Sequence, residues 1–305
     1  MTLDALLKEG ESRLREAGVP DAGLDARYLL LEVWEMSLAE FLARRQRPLG
    51  VPKEAEGQAP DGENGGKVRR YRELIGMRAK RIPLQQILGV QEFMGLPFRV
   101  NEHVLIPRQD TETLVELVLK EQKGRRASLL DMCTGSGCIA VSLMRLGDFC
   151  SGAAADVSRQ ALKTAAENAR LLLKGERMIR FVESDMFEAL GPEERFDVIV
   201  SNPPYIPTRV IEGLEPEVRD HEPRLALDGA EDGLKFYRIL AEKGREHLAA
   251  GGYIYMEIGW DQAAPVTELF GEAGYRDVTV TRDMAGLNRV VRAVWPGKGE
   301  EEDHV

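Results

Sequence analysis

Ser128-Leu129-Leu130-Asp131-Met132-Cys133-Thr134-Gly135-Ser136-Gly137 is the stretch whose reading decides the fold. Its first five residues are short and apolar around one acid, and they stop at a glycine pair, as a buried strand does. From Ile139 the apolar residues recur at helical spacing. The same strand–loop–helix alternation then repeats. Ala153-Ala154-Ala155 ends a second strand at Asp156, with Ser158 placed to cap the next helix. Ile179-Arg180-Phe181-Val182 gives a third strand, ending near Asp185. Phe196-Asp197-Val198-Ile199-Val200-Ser201 gives a fourth that feeds Asn202, and Tyr253-Ile254-Tyr255-Met256-Glu257-Ile258 a fifth. Residues 277–281 and 289–294 can close the sheet. The alternation predicts a Rossmann-like α/β fold with a largely parallel sheet.

In such a sheet ligands bind beyond the carboxyl ends of the strands. Cys133, Thr134, Gly135, Ser136 and Gly137, then Asp156, Asp185, Met186 and Asn202, all fall on that edge. Glycines between a strand and a helix let a ligand approach the backbone and meet free N–H groups. Taken alone, the G-x-G turn is equally well a plain tight turn, since Cys133 replaces a glycine of the full dinucleotide signature. Asp156 sharpens it, because an acid about 20 residues after the glycines can accept from ribose hydroxyls. No phosphate-gripping lysine follows, which argues against a nucleoside triphosphate. A nucleoside with a short polar tail fits better: S-adenosylmethionine first, NAD behind it.

Asn202-Pro203-Pro204-Tyr205 closes the fourth strand. Two prolines fix φ and supply no N–H, so the loop is stiff. An amide and an aromatic ring on a stiff loop suit a small planar group, either an amide or an aromatic amine.

Upstream, residues 1–47 read as helices broken at Gly18 and Pro20, and Ser37-Leu38-Ala39-Glu40 has the form of a capping box. Residues 50–67 lack large apolar side chains and read as a mobile loop before a helix at about 68–80. Residues 83–107 read as turn-rich and strand-like, with a hairpin near Phe98 and further extended chain at Val104-Leu105-Ile106. Asp110 or Thr111 is placed to cap the next helix.

The net charge of −10 argues against a DNA enzyme. Lys67, Arg69, Arg70 and Arg72 form the short basic cluster, read as a solvated helix face. Three cysteines without C-x-x-C spacing and four scattered histidines suggest reduced thiols and no metal site. The sequence holds no apolar run of about 20 residues and starts without a secretory pattern, so no membrane span and a cytoplasmic location are expected.

Several stretches carry a resemblance. They are Pro83-Leu84-Gln85-Gln86-Ile87-Leu88-Gly89, Glu92-Phe93-Met94-Gly95-Leu96 and Val104-Leu105-Ile106-Pro107-Arg108-Gln109-Asp110-Thr111-Glu112. With them go the glycine loop, Val200-Ser201-Asn202-Pro203-Pro204-Tyr205-Ile206 and Glu222-Pro223-Arg224-Leu225-Ala226-Leu227-Asp228-Gly229. Across nearly its whole length the sequence resembles the release factor glutamine methyltransferases, the HemK/PrmC family.

The resemblance implies a helical substrate-recognition domain at 1–82, a hairpin linker at 83–110 and a class I methyltransferase domain at 111–296, before an acidic tail at 297–305. It implies methyl transfer from S-adenosylmethionine to the glutamine amide of the Gly-Gly-Gln motif of peptide chain release factors. Cofactor contacts would fall on Cys133, Thr134, Gly135, Ser136, Gly137, Asp156, Met186 and Asn202, and substrate contacts on Asn202, Pro203, Pro204 and Tyr205. Asn202, Pro203 and Tyr205 would act catalytically. Met132-Cys133 departs from a common Leu-Gly, and Met186 from a tryptophan found in some members. The rival readings are a ribosomal-protein glutamine methyltransferase, an adenine-amine methyltransferase, which would have to unstack its base, and a non-catalytic cofactor-binding protein.

Overall fold

The computed structural model describes residues 1–50, 62–175 and 177–297. The chain forms two compact units, one of residues 1–89 and 216–221, the other of residues 90–215 and 222–305. The boundary expected at 82 thus falls after Gly89, and the helical unit also takes back a six-residue segment from far down the chain.

The first unit is helical: α1 (Leu3–Glu16), α2 (Ala22–Trp34), α3 (Leu38–Arg44), α4 (Glu63–Arg78) and α5 (Leu84–Leu88). Thr2 caps α1 by accepting from the Ala5 N–H at 3.2 Å. Ser37 and Glu40 form the expected capping box at α3. Leu6, Leu14, Leu29, Leu30, Tyr71 and Ile75 fill the core. α4 begins at Glu63, not near 68, because Glu63 and Lys67 pair at 2.9 Å one turn ahead of the first core side chain, Val68. Residues 51–61 of the expected loop, and 298–305 of the acidic tail, lie outside the described residues.

The second unit begins with a hairpin, β1 (Val90–Phe93) and β2 (Leu96–Arg99). Residues 104–106, expected as extended strand, form none. Their backbone is used otherwise: the Ile106 N–H donates to the Glu222 carboxylate. Then follow α6 (Gln109–Glu121), β3 (Ser128–Met132), α7 (Cys138–Leu146), β4 (Ser151–Asp156), α8 (Arg159–Leu173), β5 (Ile179–Glu183) and β6 (Phe196–Ser201). Short turns α9 (Thr208–Ile211) and α10 (Pro216–Arg219) precede α11 (Lys235–His247), β7 (Leu248–Glu257), α12 (Ala263–Glu272), β8 (Arg276–Arg282) and β9 (Asn288–Trp295). α10 is the turn that belongs to the helical unit.

The seven strands lie in the order β5-β4-β3-β6-β7-β9-β8. β3 to β7 run parallel, while β9 is antiparallel to both neighbours. Both faces are covered. Leu129, Val198 and Val200 enter one core with α6 and α7, while Leu130 and Ile199 enter the other with α11 and α12. This is why the strands read as nearly unbroken apolar runs. The chain reverses its order across β3 and β6, and a crevice opens there at their carboxyl ends.

Buried charge in the helical unit is tightly paired. Arg78 bonds Asp25 at 2.7 Å and Glu217 at 2.8 Å, and Arg81 bonds Glu217 at 2.5 Å. Burial raises the Glu217 pKa, but the two guanidiniums outweigh it and bring it down to about 2. Removing one partner of a buried pair strands the other charge, at a cost of about 3–5 kcal/mol. Asp25→Ala leaves Arg78 its Glu217 partner, so the loss of one charged hydrogen bond, about 1.5–3 kcal/mol, is expected in denaturant unfolding of the helical unit. A loss below about 1 kcal/mol would contradict the buried pair.

Candidate active site

The site is built at the β3/β6 crevice. β3 and β6 pair in register, Met132 beside Ser201, and the Ser201 hydroxyl donates to the Met132 carbonyl at 2.7 Å. The chain leaving each strand is thus brought to the same place. After Met132 it turns through Cys133 (φ +62°) and Gly135 (φ +55°) to Gly137, which begins α7 at φ +79°. A side chain at Gly137 would also press on Ala165, whose Cβ would lie at 3.0 Å. Asp131 fixes the loop from beneath, accepting from the Thr134 hydroxyl at 2.6 Å and the Ala140 N–H at 3.1 Å. Burial pushes its pKa up to about 7 against those two donors.

Asp156 ties the loop to the next strand. Its Oδ2 accepts from the Gly135 N–H and its Oδ1 from the Ser158 N–H, each at 2.9 Å. Ser158 does cap α8, accepting from the Ala161 N–H at 3.2 Å. Burial raises the Asp156 pKa in spite of these backbone donors. Met186, at φ +49°, packs its sulfur 3.8 Å from the Cys133 thiol. The Ser184 hydroxyl donates to the Met186 carbonyl at 2.6 Å and holds that turn.

Cys133, Thr134, Gly135, Ser136, Asp156, Asp185, Met186 and Asn202 line one cleft, together with Thr111 and Pro204. Gly137, the α7 N-cap, Pro203 and Tyr205 do not line it. Pro203 is buried, and Tyr205 turns its hydroxyl to the Glu257 Oε1 at 3.3 Å. Asn202 donates through Nδ2 to the Thr111 hydroxyl at 3.3 Å.

Two features of the cleft suit a nucleoside ligand. The Ser136 hydroxyl is buried without a partner. Beside it, the place of a Gly135 side chain is open, with no atom within 4 Å. A donor without a partner and an uncovered backbone are what a bound polar group would satisfy. Among the described residues no group of three or more potential ligands could hold a metal.

The exit of the Asn202 loop is clamped by the Glu222–Gly233 stretch. The Ile206 N–H donates to the Leu227 carbonyl and the Gly229 N–H to the Ile206 carbonyl. A Cβ at Gly233 would lie 2.4 Å from the Tyr205 carbonyl oxygen, so only glycine fits. Gln262 Nε2 donates to that same carbonyl at 3.0 Å. Arg108 bonds the buried Glu222 carboxylate at 2.7 and 2.8 Å, joining two stretches of sequence 114 residues apart.

Three contributors escaped the sequence reading. Thr111, expected as a cap, lies inside the first turn of α6, which starts at Gln109 without a side-chain cap. Its side chain points inward to Asn202. Glu257 passed as part of a strand, although a carboxylate at the end of a buried run was a usable signal. Arg289 had no local signal. It is buried between Asp283, at 3.0 Å, and Asp110, at 3.1 Å.

Similarity to known proteins agrees with this geometry. A family model for the methyltransferase small domain matches residues 109–212, and one for the PrmC N-terminal domain matches residues 5–59. A release factor glutamine methyltransferase of Geobacter sulfurreducens is 40% identical over 290 residues, 95% of either chain. One from Agrobacterium fabrum is 37% identical, over 95% of this chain and 96% of that protein. A methyltransferase from Pyrococcus furiosus shares the fold, at 18% identity and TM-score 0.51, over 73% of this chain and 98% of its own.

The pKa of Asp131 gives a test of the loop. Its folded value of about 7 lies above the unfolded value of about 4, so the folded state holds the proton more tightly. That stability is complete below about pH 4 and is lost as pH rises through 7. Between pH 5 and 8, Asp131→Asn is expected to remove on the order of 3 kcal/mol of this decline. Melting curves of both proteins across that range would check it, and equal slopes would refute it.

Proposed function

Since the chain belongs to the release factor glutamine methyltransferase family, it is a protein-(glutamine-N5) methyltransferase, and we propose the following roles for its site. The methyl donor is S-adenosylmethionine. The acceptor is the side-chain amide nitrogen of the glutamine in the Gly-Gly-Gln motif of peptide chain release factors. The observation that carries this reading is that Asn202 opens into the same cleft as the glycine loop and Asp156.

Cys133, Thr134, Gly135, Ser136 and Gly137 form the loop that receives the donor, with Asp156 at its ribose and Asp185 and Met186 at its base. S-adenosylmethionine, when bound, supplies a methyl group made electrophilic by its sulfonium. The residues of this chain need only hold the acceptor. A carboxamide nitrogen is a poor nucleophile, because its lone pair is shared with the carbonyl, as the ~18–20 kcal/mol barrier to amide rotation shows. The Asn202 Oδ1 and the Pro203 carbonyl each accept one substrate N–H, which fixes the nitrogen's direction and favours the positive charge that develops on it. Pro204 keeps the loop stiff and Tyr205 packs beside the amide plane. The helical unit takes up the protein substrate, and the work is cytoplasmic, with no direct DNA contact.

Asn202→Ala is expected to lower turnover by at least 10²–10³-fold, the scale of losing one aligned polar partner. Cofactor affinity and melting temperature should stay near those of the parent. Labelled S-adenosylmethionine would be incubated separately with release factor, ribosomal protein and DNA, and the labelled residue mapped by mass spectrometry. Label on a ribosomal-protein glutamine or an adenine would replace the substrate reading. Near-normal turnover of release factor by Asn202→Ala would remove Asn202 from catalysis.

A further inference from the structure

The exit of the acceptor loop is held by a side chain to which the roles above assign nothing. Gln262 closes a turn just past β7, where its N–H donates to the Gly259 carbonyl at 3.0 Å. It also stands at the N-cap of α12, yet its side chain makes no capping bond there. A cap residue usually spends its side chain on the open N–H groups of its own helix. Gln262 is 7% exposed, and its amide is committed elsewhere.

All three partners of that amide are backbone groups, from three stretches of chain. Oε1 accepts from the Gly259 N–H at 2.9 Å, while Nε2 donates to the Tyr205 carbonyl at 3.0 Å and to the Gly233 carbonyl at 3.3 Å. These partners decide which end of the amide is which, because a backbone N–H only donates and a carbonyl only accepts. A reversed amide would set its oxygen against two carbonyl oxygens and its NH₂ against another donor. No bond of the three would survive.

The packing leaves this bridge little slack. A Cβ at Gly259 would lie 2.9 Å from Gln262 Oε1, and one at Gly233 would lie 2.7 Å from Nε2. A Cβ at Gly229 would lie 2.9 Å from the Tyr205 Cα. Tyr205 is thus enclosed by glycine backbone, with its carbonyl met by Gln262 and its hydroxyl by Glu257. Pro203 and Pro204 before it have locked φ angles, so a shift of the Tyr205 peptide passes toward Asn202 instead of being absorbed. At its entrance the loop is anchored by Ser201 on β6. A stiff segment pinned at both ends presents its polar groups in one direction.

We propose that Gln262 is a positioning residue for methyl transfer: by holding the Tyr205 carbonyl, it sets the direction in which Asn202 and the Pro203 carbonyl meet the acceptor amide. This inference rests on the roles given to Asn202 and Pro203 above. Without Nε2, an enclosed carbonyl loses its donor and the peptide turns toward another. The acceptor nitrogen is then misdirected, which lowers the rate of transfer. Donor binding is spared, since the glycine loop is held by Asp131 and Asp156 through bonds of its own.

The test is steady-state kinetics on release factor with Gln262→Met, alone and combined with Asn202→Ala. Methionine fills nearly the same volume and can neither donate nor accept as the amide does. The loss of a partner for a buried polar group corresponds to roughly 5- to 150-fold in rate, and kcat is expected to fall within that range. KM for release factor and the dissociation constant for S-adenosylmethionine should stay within about threefold of the parent. In the Asn202→Ala background Gln262→Met should cost less than about threefold more, because both changes remove one alignment. A merely structural role would take the same fraction of kcat from either background, and that result would overturn the inference. Equal kcat in Gln262→Met and the parent, or a loss confined to KM, would overturn it too. Should Gln262→Met fail to fold, Gln262→Glu decides. Glutamate keeps the bond from Gly259 and, charged or neutral, has at most one donor for two carbonyls. An unchanged kcat in that variant would overturn the inference. A parent enzyme that leaves release factor unmethylated would instead overturn the function proposed above.

Discussion

The parallel pairing of β6 on β3 is the constraint from which the site follows. It sets Met132 beside Ser201 and adds a side-chain bond from the Ser201 hydroxyl to the Met132 carbonyl at 2.7 Å. A parallel register slipped by one residue would exchange the β6 side chains between the two cores. It would put Ile199 where Val198 or Val200 packs, and the valines in the place of Ile199, against the fit of both cores. The two loops that leave the strands are therefore neighbours because of packing far below them. The glycine loop needs no contact with Asn202 to be placed beside it.

A second tie works across the sequence. Arg108 and Glu222 come from stretches that look unrelated in the chain, yet they form one ion pair at 2.7 and 2.8 Å. The Glu222 side chain is 1% exposed and that of Arg108 is 42% exposed. Burial raises the Glu222 pKa even with the guanidinium beside it. Such a pair contributes little net stability, since desolvation offsets much of the attraction. Its use is directional. It holds the segment before α6 and the segment after α10 together, and both line the cleft. Farther along the same stretch, Gly229 and Gly233 approach the Tyr205 backbone too closely for a side chain at either position.

Much of this was legible in the sequence because it is local. The glycine loop, Asp156, the Ser158 cap and the Asn202 loop all declare themselves through neighbours within a few residues. The strand–helix alternation gave the sheet for the same reason. What stayed hidden depends on partners far apart in the chain. Thr111 meets Asn202 across 91 residues and Tyr205 meets Glu257 across 52. A threonine near a helix start reads as a cap when only its neighbours are known. The helix begins two residues earlier, at Gln109, so the same threonine falls on the inner face. The extended reading of 104–106 failed similarly: a short run of apolar residues suggested a strand, but the Ile106 N–H belongs to Glu222.

The electrostatics behind the site also bear on the methyl transfer proposed for it. Methyl transfer places positive charge on the acceptor nitrogen, and a free cation nearby would oppose it. A buried cation whose charge Tyr205 feels is Arg289, and it is not free. Its guanidinium is held by Asp283 at 3.0 Å and Asp110 at 3.1 Å, with Glu257 close enough to feel its charge. Three carboxylates around one guanidinium leave the region negative whenever Glu257 is ionised. In a partly buried site that bias is felt more strongly than in water. In the proposed transfer it would favour the positive charge as it passes from the sulfonium to the acceptor nitrogen, with no proton removed beforehand. The proton can then leave from an already methylated, far more acidic nitrogen, which asks no strong base of the protein.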